Sequence, residues 1–575
     1  MPRGQKGRGR IAAPLRTRKP CTGSCEDSRE HGGRLPQAAF AVLGIYLLSP
    51  ALTSVHVEGF TAQIQIGAIA ANAGLLNRAN LLYPLHAEYF YLTREGVVFL
   101  LQPLMAAFGT TGDIVFRVMT GLSFALFVGS TVVIARRQAR VGLLAVCAAL
   151  LMTPGIAELP FYFNDNVVSV AFGMLGIALL PAIPGLPGVG NVTTASRVWI
   201  LRAVLAGASL GLAIMARPDA VLLLPVVAGF GWLDAKSWRA LVLLGAVVTA
   251  AILAVFVASY FASGTTLIQA VQIGRYFDHL QSLFRHDSAA VLVFILFFGL
   301  PNLALLPIGA FQELHANNLK RILVLVVLPI VLLAYMVPNA METRQFYPIL
   351  APFIAIHGAR GLEWLGSALT SGQRARVWKG AILAAGIALV WVAPPVYVPV
   401  RDGPRAVVGR LWSPILWFQW QRAVTATLDD VAALVDRADH VPRLVVVTTH
   451  FNADHYLRLR LWQRGYRPLR AQEAVPGCVG GFEVWRKGTH ELDQVRTENP
   501  HFMFRPHEYL EALEIQRAFQ CSSIFQDAPV YVSGVGRDPG GNDVMASLSA
   551  TRPDLASTTV AFGWPRRSLT PSRSG

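Results

Sequence analysis

Long apolar runs separated by short polar intervals set the pattern of this chain. A helix that crosses a bilayer needs about 20 mostly apolar residues. The first run that qualifies is 37–55. Others follow at 114–134, 141–156, 167–183, 198–215, 220–233, 240–261, 289–310, 322–337, 346–365 and 381–397, which with the first makes eleven predicted transmembrane helices. Between the first two runs, 55–113 is too polar to span but rich in aromatic residues such as Phe60, Tyr83, Tyr89, Phe90 and Tyr91. Within it 95–108 (EGVVFLLQPLMAAF) is short for a span and fits an interfacial amphipathic helix.

After residue 399 the period changes. RLVVVTT (443–449), 481–485 and 528–532 read as strands, and 454–463 and 507–519 as helices. The expected fold is therefore mainly α: a polytopic membrane bundle of about 11 helices with a large first extracytoplasmic loop carrying interfacial helices, plus a small C-terminal α/β soluble domain. The predicted divisions are a basic disordered cytoplasmic leader (1–36), a transmembrane catalytic domain (37–398), an extracytoplasmic α/β domain (399–534) and a disordered tail (535–575) rich in Gly, Ser, Pro and Arg.

Composition sharpens this picture. The 575 residues are 53% hydrophobic and only 15% charged, against about 25% charged in soluble domains, and the mean hydropathy is +0.46. The net charge of +16 would raise nucleic acid as a partner in a soluble protein. Here much of the excess sits where topology wants it. The leader holds nine basic side chains (Arg3, Lys6, Arg8, Arg10, Arg16, Arg18, Lys19, Arg29 and Arg34), and the loops 136–140, 185–197, 234–239, 312–321 and 371–379 all carry Lys or Arg. With the amino terminus in the cytoplasm and the first run a retained anchor, these loops are cytoplasmic and obey the positive-inside rule. Eleven spans then put the C-terminal region outside.

No GxGxxG, GxxxxGK(S/T), HExxH or paired CxxC occurs, so nucleotide-cofactor and structural-zinc chemistry have no foothold. Five cysteines in this length exclude a disulfide scaffold. Cys478 and Cys521 fall in the outer domain, where a disulfide between them is one option. Cys21 and Cys25 lie on the reducing side.

Polar groups at the outer ends of spans are costly, and so they carry information. His56 and Glu58 stand where the first run leaves the bilayer. The sequence from Glu158 to Asn166 (ELPFYFNDN) opens the run at 167, with Tyr162, Asn164, Asp165 and Asn166 forming a candidate pocket rim. Asp165 can cap the next helix or act in catalysis, and the two are compatible. Met215 to Asp219 (MARPD) reads as a tight bend. Arg217 there either pairs with Asp219 or presents its forked donors to a lipid-linked phosphate. Asn339 to Pro348 (NAMETRQFYP) brings Glu342, Arg344 and Tyr347, where Arg344 either snorkels or joins a site. The loop 272–287 adds Arg275 and two histidines, His279 and His286, read as solvated loop residues. No set of residues was assigned to a metal.

The order of these features resembles the C-type glycosyltransferase (GT-C) superfamily: the group of protein mannosyltransferases, the lipid A aminoarabinose transferase and lipopolysaccharide-core transferases. The shared layout is a short cytoplasmic leader, one helix, an acid opening a long outer loop, interfacial helices, and a span ending in Arg136-Arg137. A second outer-loop acid, an Arg-Pro turn and a late Arg-x-x-Tyr-Pro complete it, the whole covering roughly 37–397. The motifs themselves are short. The resemblance implies transfer of a sugar from a polyprenyl-phosphate carrier, with inversion, to an acceptor hydroxyl on the extracytoplasmic face. Glu58 stands at the first-loop acid and Asp165 at the second, and Arg217 and Arg344, with Arg275 as a further candidate, stand near the carrier phosphate. Many members read Asp-Glu at the first acid, where this chain has Val57-Glu58.

The implied chemistry suits these residue types, a carboxylate as general base and arginines beside the departing phosphate. The resemblance implies no nucleotide and leaves room for a divalent metal. Its implied partners are the lipid-linked donor, a glycan, lipid or protein acceptor, and membrane lipids, with no nucleic acid. The implied location is a bacterial inner membrane. The alternative is a polytopic transporter or flippase of a lipid-linked or small polar solute. Against it, no internal repeat or pair of broken helices is visible in the sequence.

Overall fold

The computed structural model describes residues 114–157, 165–181, 194–235, 237–263, 297–315, 318–336 and 344–368. It also describes Leu159, Gly386, scattered helical positions from 97 to 107, and five short strands between 443 and 561. Among the described residues, nine helices carry the bundle: α1 (Ile114–Ala139), α2 (Leu143–Leu151), α3 (Asp165–Leu179), α4 (Thr194–Ala216), α5 (Leu223–Asp234), α6 (Trp238–Ser263), α7 (Leu300–His315), α8 (Leu319–Met336) and α9 (Ala351–Ala368). They coincide with the nine apolar runs from 114 to 365. The first run, the last one apart from Gly386, and the leader lie outside the described residues. The stretches 117–139, 197–216, 238–258 and 319–336 are long and apolar enough to cross a bilayer. The chain is an integral membrane protein.

In hydrocarbon, helices gain nothing from hiding apolar faces, so close approach at small residues and polar bridges must hold them together. In α4, Gly207 and Gly211 lie one turn apart against α6: a Cβ at the first would meet the Val248 carbonyl, and at the second the Val255 side chain. The α7–α9 pair closes reciprocally. A Cβ on Gly309 would run into the His357 backbone, and one on Gly361 into the Leu305 carbonyl. Helix α3 packs between α1 and α4, and α9 joins α1, α2 and α7.

The run 141–156 does not form one straight helix. α2 stops at Leu151, and a four-residue turn, Pro154–Ala157, follows. Proline at 154 cannot donate to the preceding turn. Asn302 of α7, fully buried, covers the break by donating to the Ala149 carbonyl (2.8 Å) and the Thr153 hydroxyl (2.7 Å). Gly299 packs against Pro154 with φ of 74°, a conformation open to glycine. In α8 the segment Leu323–Val327 is a π-helix. The buried His357 Nε2 lies 2.7 Å from the Leu325 carbonyl, a partner for backbone that the wider turn displaces.

Polar side chains converge at one end of the bundle. Glu313 of α7 is fully buried and accepts two hydrogen bonds from Arg321 of α8, at 3.0 and 2.8 Å, and a further one from Arg360 of α9. Arg321 also donates to the Gln138 carbonyl of α1 (2.9 Å), and the Gln138 amide donates to Asp234 of α5 (2.9 Å). Asp234 pairs with Arg137 (3.2 Å), whose guanidinium also donates to the Ile177, Ala178 and Leu180 carbonyls at the end of α3. Lys320 caps α5 in the same way, donating to the Leu233 and Ala235 carbonyls. The arginines at 136 and 137 were expected in a loop. They lie within α1 instead, because Arg137 finds helix-terminal carbonyls to satisfy it.

Beyond the bundle, five strands form a sheet of order β2-β3-β1-β4-β5, with β1 Arg443–Thr448, β2 Tyr466–Leu469, β3 Phe482–Lys487, β4 Val530–Gly534 and β5 Val560–Ala561. The β1–β3 and β2–β3 pairs are antiparallel, and β1–β4 and β4–β5 parallel. Strands occur at the three expected places. The helices expected at 454–463 and 507–519, and Cys478 and Cys521, lie outside the described residues.

Two stability predictions follow from this packing. Gly309→Leu should cut the yield of folded protein in detergent sharply, whereas Gly129→Leu, where nothing lies within 4 Å of a Cβ, should be tolerated. Glu313→Gln should destabilise by about 3 kcal/mol, since it strips the shared partner from two arginines. Glu363→Ala, which loses the one bond accepted from the Gly142 amide, should cost no more than about 1 kcal/mol. Thermal unfolding of the purified variants checks both.

Candidate functional site

The opposite end of the bundle, away from Glu313, is built from breaks in helices. Four elements meet there: the turn Pro154–Ala157, the start of α3 at Asp165, a 3-10 turn Pro218–Leu222, and a 3-10 turn Arg344–Leu350 leading into α9. Local sequence explains each one. α4 ends at Ala216, Arg217 adopts an extended conformation (φ −160°, ψ 121°), and Pro218 supplies the fixed φ that opens the next turn. Pro348 sits within the last turn, where regular α-helix would clash.

Ser169, one turn into α3, donates to the Ala213 carbonyl of α4 at 2.9 Å, and the Arg217 amide bonds the same carbonyl at 3.0 Å. The Arg217 turn is thereby tied to the first turn of α3, and its side chain is half-buried. Asn166 is buried beside Val167 and Val168. The α3 amino terminus lies at this junction, and the positive end of a helix dipole is a place where a carboxylate or phosphate is stabilised.

The residues read from sequence fall into three groups. Asp165, Arg217, Asp219, Arg344, Asn166 and Tyr347 lie on the elements that meet at this end. Of these, Tyr347 departs from its expected role as a polar pocket residue. It is fully buried in an aromatic cluster, 4.9 Å from the Phe297 ring and 6.0 Å from Phe298. The remaining candidates, His56, Glu58, Tyr83, Tyr162, Asn164, Arg275 and Glu342, lie outside the described residues. Among the described residues no three His, Cys, Asp or Glu side chains gather as a metal site.

Sequence reasoning missed the Glu313–Arg321–Arg360 cluster. In the sequence Glu313 and Arg321 read as loop residues and Arg360 as part of a span. The one available signal was a charge spacing of eight between Glu313 and Arg321 across a predicted turn.

No protein-family model and no curated protein matches the chain. Among solved structures, the chain is similar to ArnT from Cupriavidus metallidurans bound to undecaprenyl phosphate. That likeness has a TM-score of 0.50 and 17% identity, and covers 74% of this chain and 84% of that one. ArnT from the same organism in the apo state gives a TM-score of 0.50 at 14% identity, covering 74% and 85%. The archaeal oligosaccharyltransferase AglB from Archaeoglobus fulgidus, in complex with an inhibitory peptide and a dolichol-phosphate, aligns at a TM-score of 0.45 and 12% identity, covering 72% and 58%. ArnT, the lipid A aminoarabinose transferase, is a GT-C glycosyltransferase. The likeness bears out the expected polytopic helical membrane bundle.

The helix ends make one direct forecast. Positions 219 and 237 flank the two ends of α5, and so should open to opposite sides of the membrane. In a background lacking native cysteines, an impermeant maleimide added from one side should label either Asp219→Cys or Ser237→Cys, and never both.

Proposed function

We propose that this chain transfers a hexosyl or pentosyl group from a polyprenyl-phosphate donor to an acceptor hydroxyl at the extracytoplasmic face, with inversion at the anomeric carbon. The observation that carries this reading is the likeness of fold to ArnT, a bundle that holds undecaprenyl phosphate. Two local features support it. The α3 amino terminus and the Arg217 turn are joined through one carbonyl, and they supply anion-binding dipole and guanidinium at one end. The other end carries the basic intervals, which favours placing it in the cytoplasm and the Asp165 end outside. In this arrangement the amino terminus is cytoplasmic, and the 399–534 segment follows the last apolar run on the outer side.

The residues divide the reaction between them. The acceptor O–H gives its proton to the Glu58 carboxylate as its oxygen forms a bond to the anomeric carbon. On the opposite face of the sugar the bond from that carbon to the phosphate oxygen breaks, and the leaving polyprenyl phosphate keeps the electron pair. Arg217, with Arg344 and Arg275, holds the phosphate as its charge grows, which lowers the barrier because the donors are already oriented. Asp165 orients the acceptor. His56, Tyr83, Tyr162, Asn164, Asn166, Asp219 and Glu342 are proposed to shape the pocket. The acceptor is a glycan, lipid or protein hydroxyl.

In a transfer assay with a radiolabelled polyprenyl-phosphate sugar, Glu58→Gln should lose on the order of 10²–10⁴ in rate, the usual scale for removing a general base. Arg217→Gln should lose about 10²-fold or more. Asp165→Asn should raise the KM for acceptor along with lowering the rate. Wild-type rates in both Glu58→Gln and Asp165→Asn would defeat the mechanism, and a retained anomeric configuration in the product would defeat inversion.

A further inference from the structure

The start of α7 grips two segments of the proposed site at once. At the end of α2 the Thr153 amide turns to the Leu150 carbonyl (3.1 Å), so the Ala149 carbonyl loses the donor that a regular helix would give it. Two side chains replace that donor, the Thr153 hydroxyl at 2.9 Å and the Asn302 Nδ2 at 2.8 Å, and Asn302 also donates to the Thr153 hydroxyl at 2.7 Å. The Thr153 carbonyl then accepts from the Ile156 and Ala157 amides, at 3.0 and 2.9 Å, and so starts the turn that leads toward Asp165. Asn302 is thus bonded to the residue from which that turn springs. It is itself fixed in the first turn of α7, where the Leu303 amide bonds the Gly299 carbonyl at 3.0 Å.

Just before Asn302 in the chain, the same segment reaches the second half of the site. A Cβ on Gly155 would fall within the Phe297 ring, so ring and turn are in direct contact. The Phe297 ring centre lies 4.9 Å from that of Tyr347, in the turn that begins with Arg344. Gly299 backs onto Pro154 and the Met152 carbonyl with no room for a side chain, so backbone sets that spacing. Residues 297–302 therefore form a bracket, with one arm on the break that leads to Asp165 and the other on the turn that carries Arg344. A straight α2 would need neither Asn302 nor the glycine at 299. The chain instead keeps the break and satisfies it from another helix, and a buried polar network of this kind rigidifies what it joins. What the bracket supplies is the location of the two segments.

We propose that Phe297 and Asn302 are positioning residues, which hold the start of α3 at Asp165 and the Arg344 turn at the spacing that the transfer reaction needs. The roles of Asp165 and Arg344 rest on the transferase reading, whereas the bracket rests on its own contacts. Asn302 acts on the Asp165 side alone, through Thr153. Phe297 acts on both sides, through Gly155 and Tyr347. A misplacement of about 1 Å at reacting groups can cost on the order of 10²-fold in rate, so a bracket remote from the chemistry can still govern it.

The test uses the full chain and the transfer assay with a radiolabelled polyprenyl-phosphate sugar. Asn302→Leu, of similar size but without a donor, should lower kcat/KM for the acceptor on the order of 10²-fold, with a raised acceptor KM and an unchanged donor KM. Phe297→Leu should raise both KM values. In an Asp165→Asn background Asn302→Leu should add little further loss, because it acts through that acid. Thr153→Val removes the same bond from its other partner and gives a second route should Asn302→Leu not fold. Val248→Ala, a core truncation at the α4–α6 contact, should lower only the active fraction. The same pattern in Asn302→Leu, with both KM values unchanged, overturns the proposal, and so does a full additional loss in the Asp165→Asn background. Independently of catalysis, spin labels at Glu158→Cys and Gln345→Cys, in a chain lacking native cysteines, should report one narrow distance. Asn302→Leu and Phe297→Leu should broaden or shift it, and Val248→Ala should not. A chain that transfers no sugar defeats the transferase reading, and the label distance then decides the bracket by itself: a distance unmoved by both substitutions overturns it.

Discussion

A carboxylate that hydrocarbon cannot tolerate alone governs how this bundle closes. Glu313 is removed from solvent, and the cost of that is met only because Arg321 and Arg360 arrive from two other helices while keeping part of their own surface in water. Packed apolar residues in place of the whole cluster could be as stable, so energy alone does not explain the arrangement. What the cluster supplies is register. Arg321 holds Glu313 on α7 and the Gln138 carbonyl on α1 at once, and Gln138 passes the constraint to Asp234 on α5. Sliding α8 by one turn would break the Arg321 bonds to Glu313 and to the Gln138 carbonyl together.

The two ends of the bundle divide the labour that follows from this. At the Glu313 end, side chains close helix termini: Arg137 takes the last carbonyls of α3, and Lys320 those of α5. At the other end the chain turns through prolines, the extended Arg217 leading into the Pro218–Leu222 turn and Pro348 lying in the turn that leads into α9. A clamped end and an open end suit a protein that must hold its frame while a substrate enters between helices.

Hydropathy made nine helices legible because crossing a membrane constrains composition at every position of the span, and not because any motif is specific. The same reasoning explains a likeness of fold at 17% identity with no sequence-level match. What hydropathy hides is which polar residue folds inward. Glu313 reads as a loop residue in the sequence, since an acid three residues beyond a run looks like its end. In the structure α7 continues to His315, because arginines from α8 and α9 answer the charge. Tyr347 looked like pocket lining because it follows Arg344 and Glu342. Its ring instead packs on Phe297 and Phe298, which lie 49 residues or more away in sequence. Both misplacements come from long-range partners, which local pattern cannot report.

The same physics bears on the division of roles in the proposed reaction. Asp165 begins α3, and the first turn of a helix is where negative charge is favoured. A general base must gain a proton as the acceptor attacks, whereas a group that orients the acceptor has only to accept a hydrogen bond from first to last. In the proposed mechanism the second role goes to Asp165 and the first to Glu58, the acid that the resemblance sets at the opening of the long outer loop.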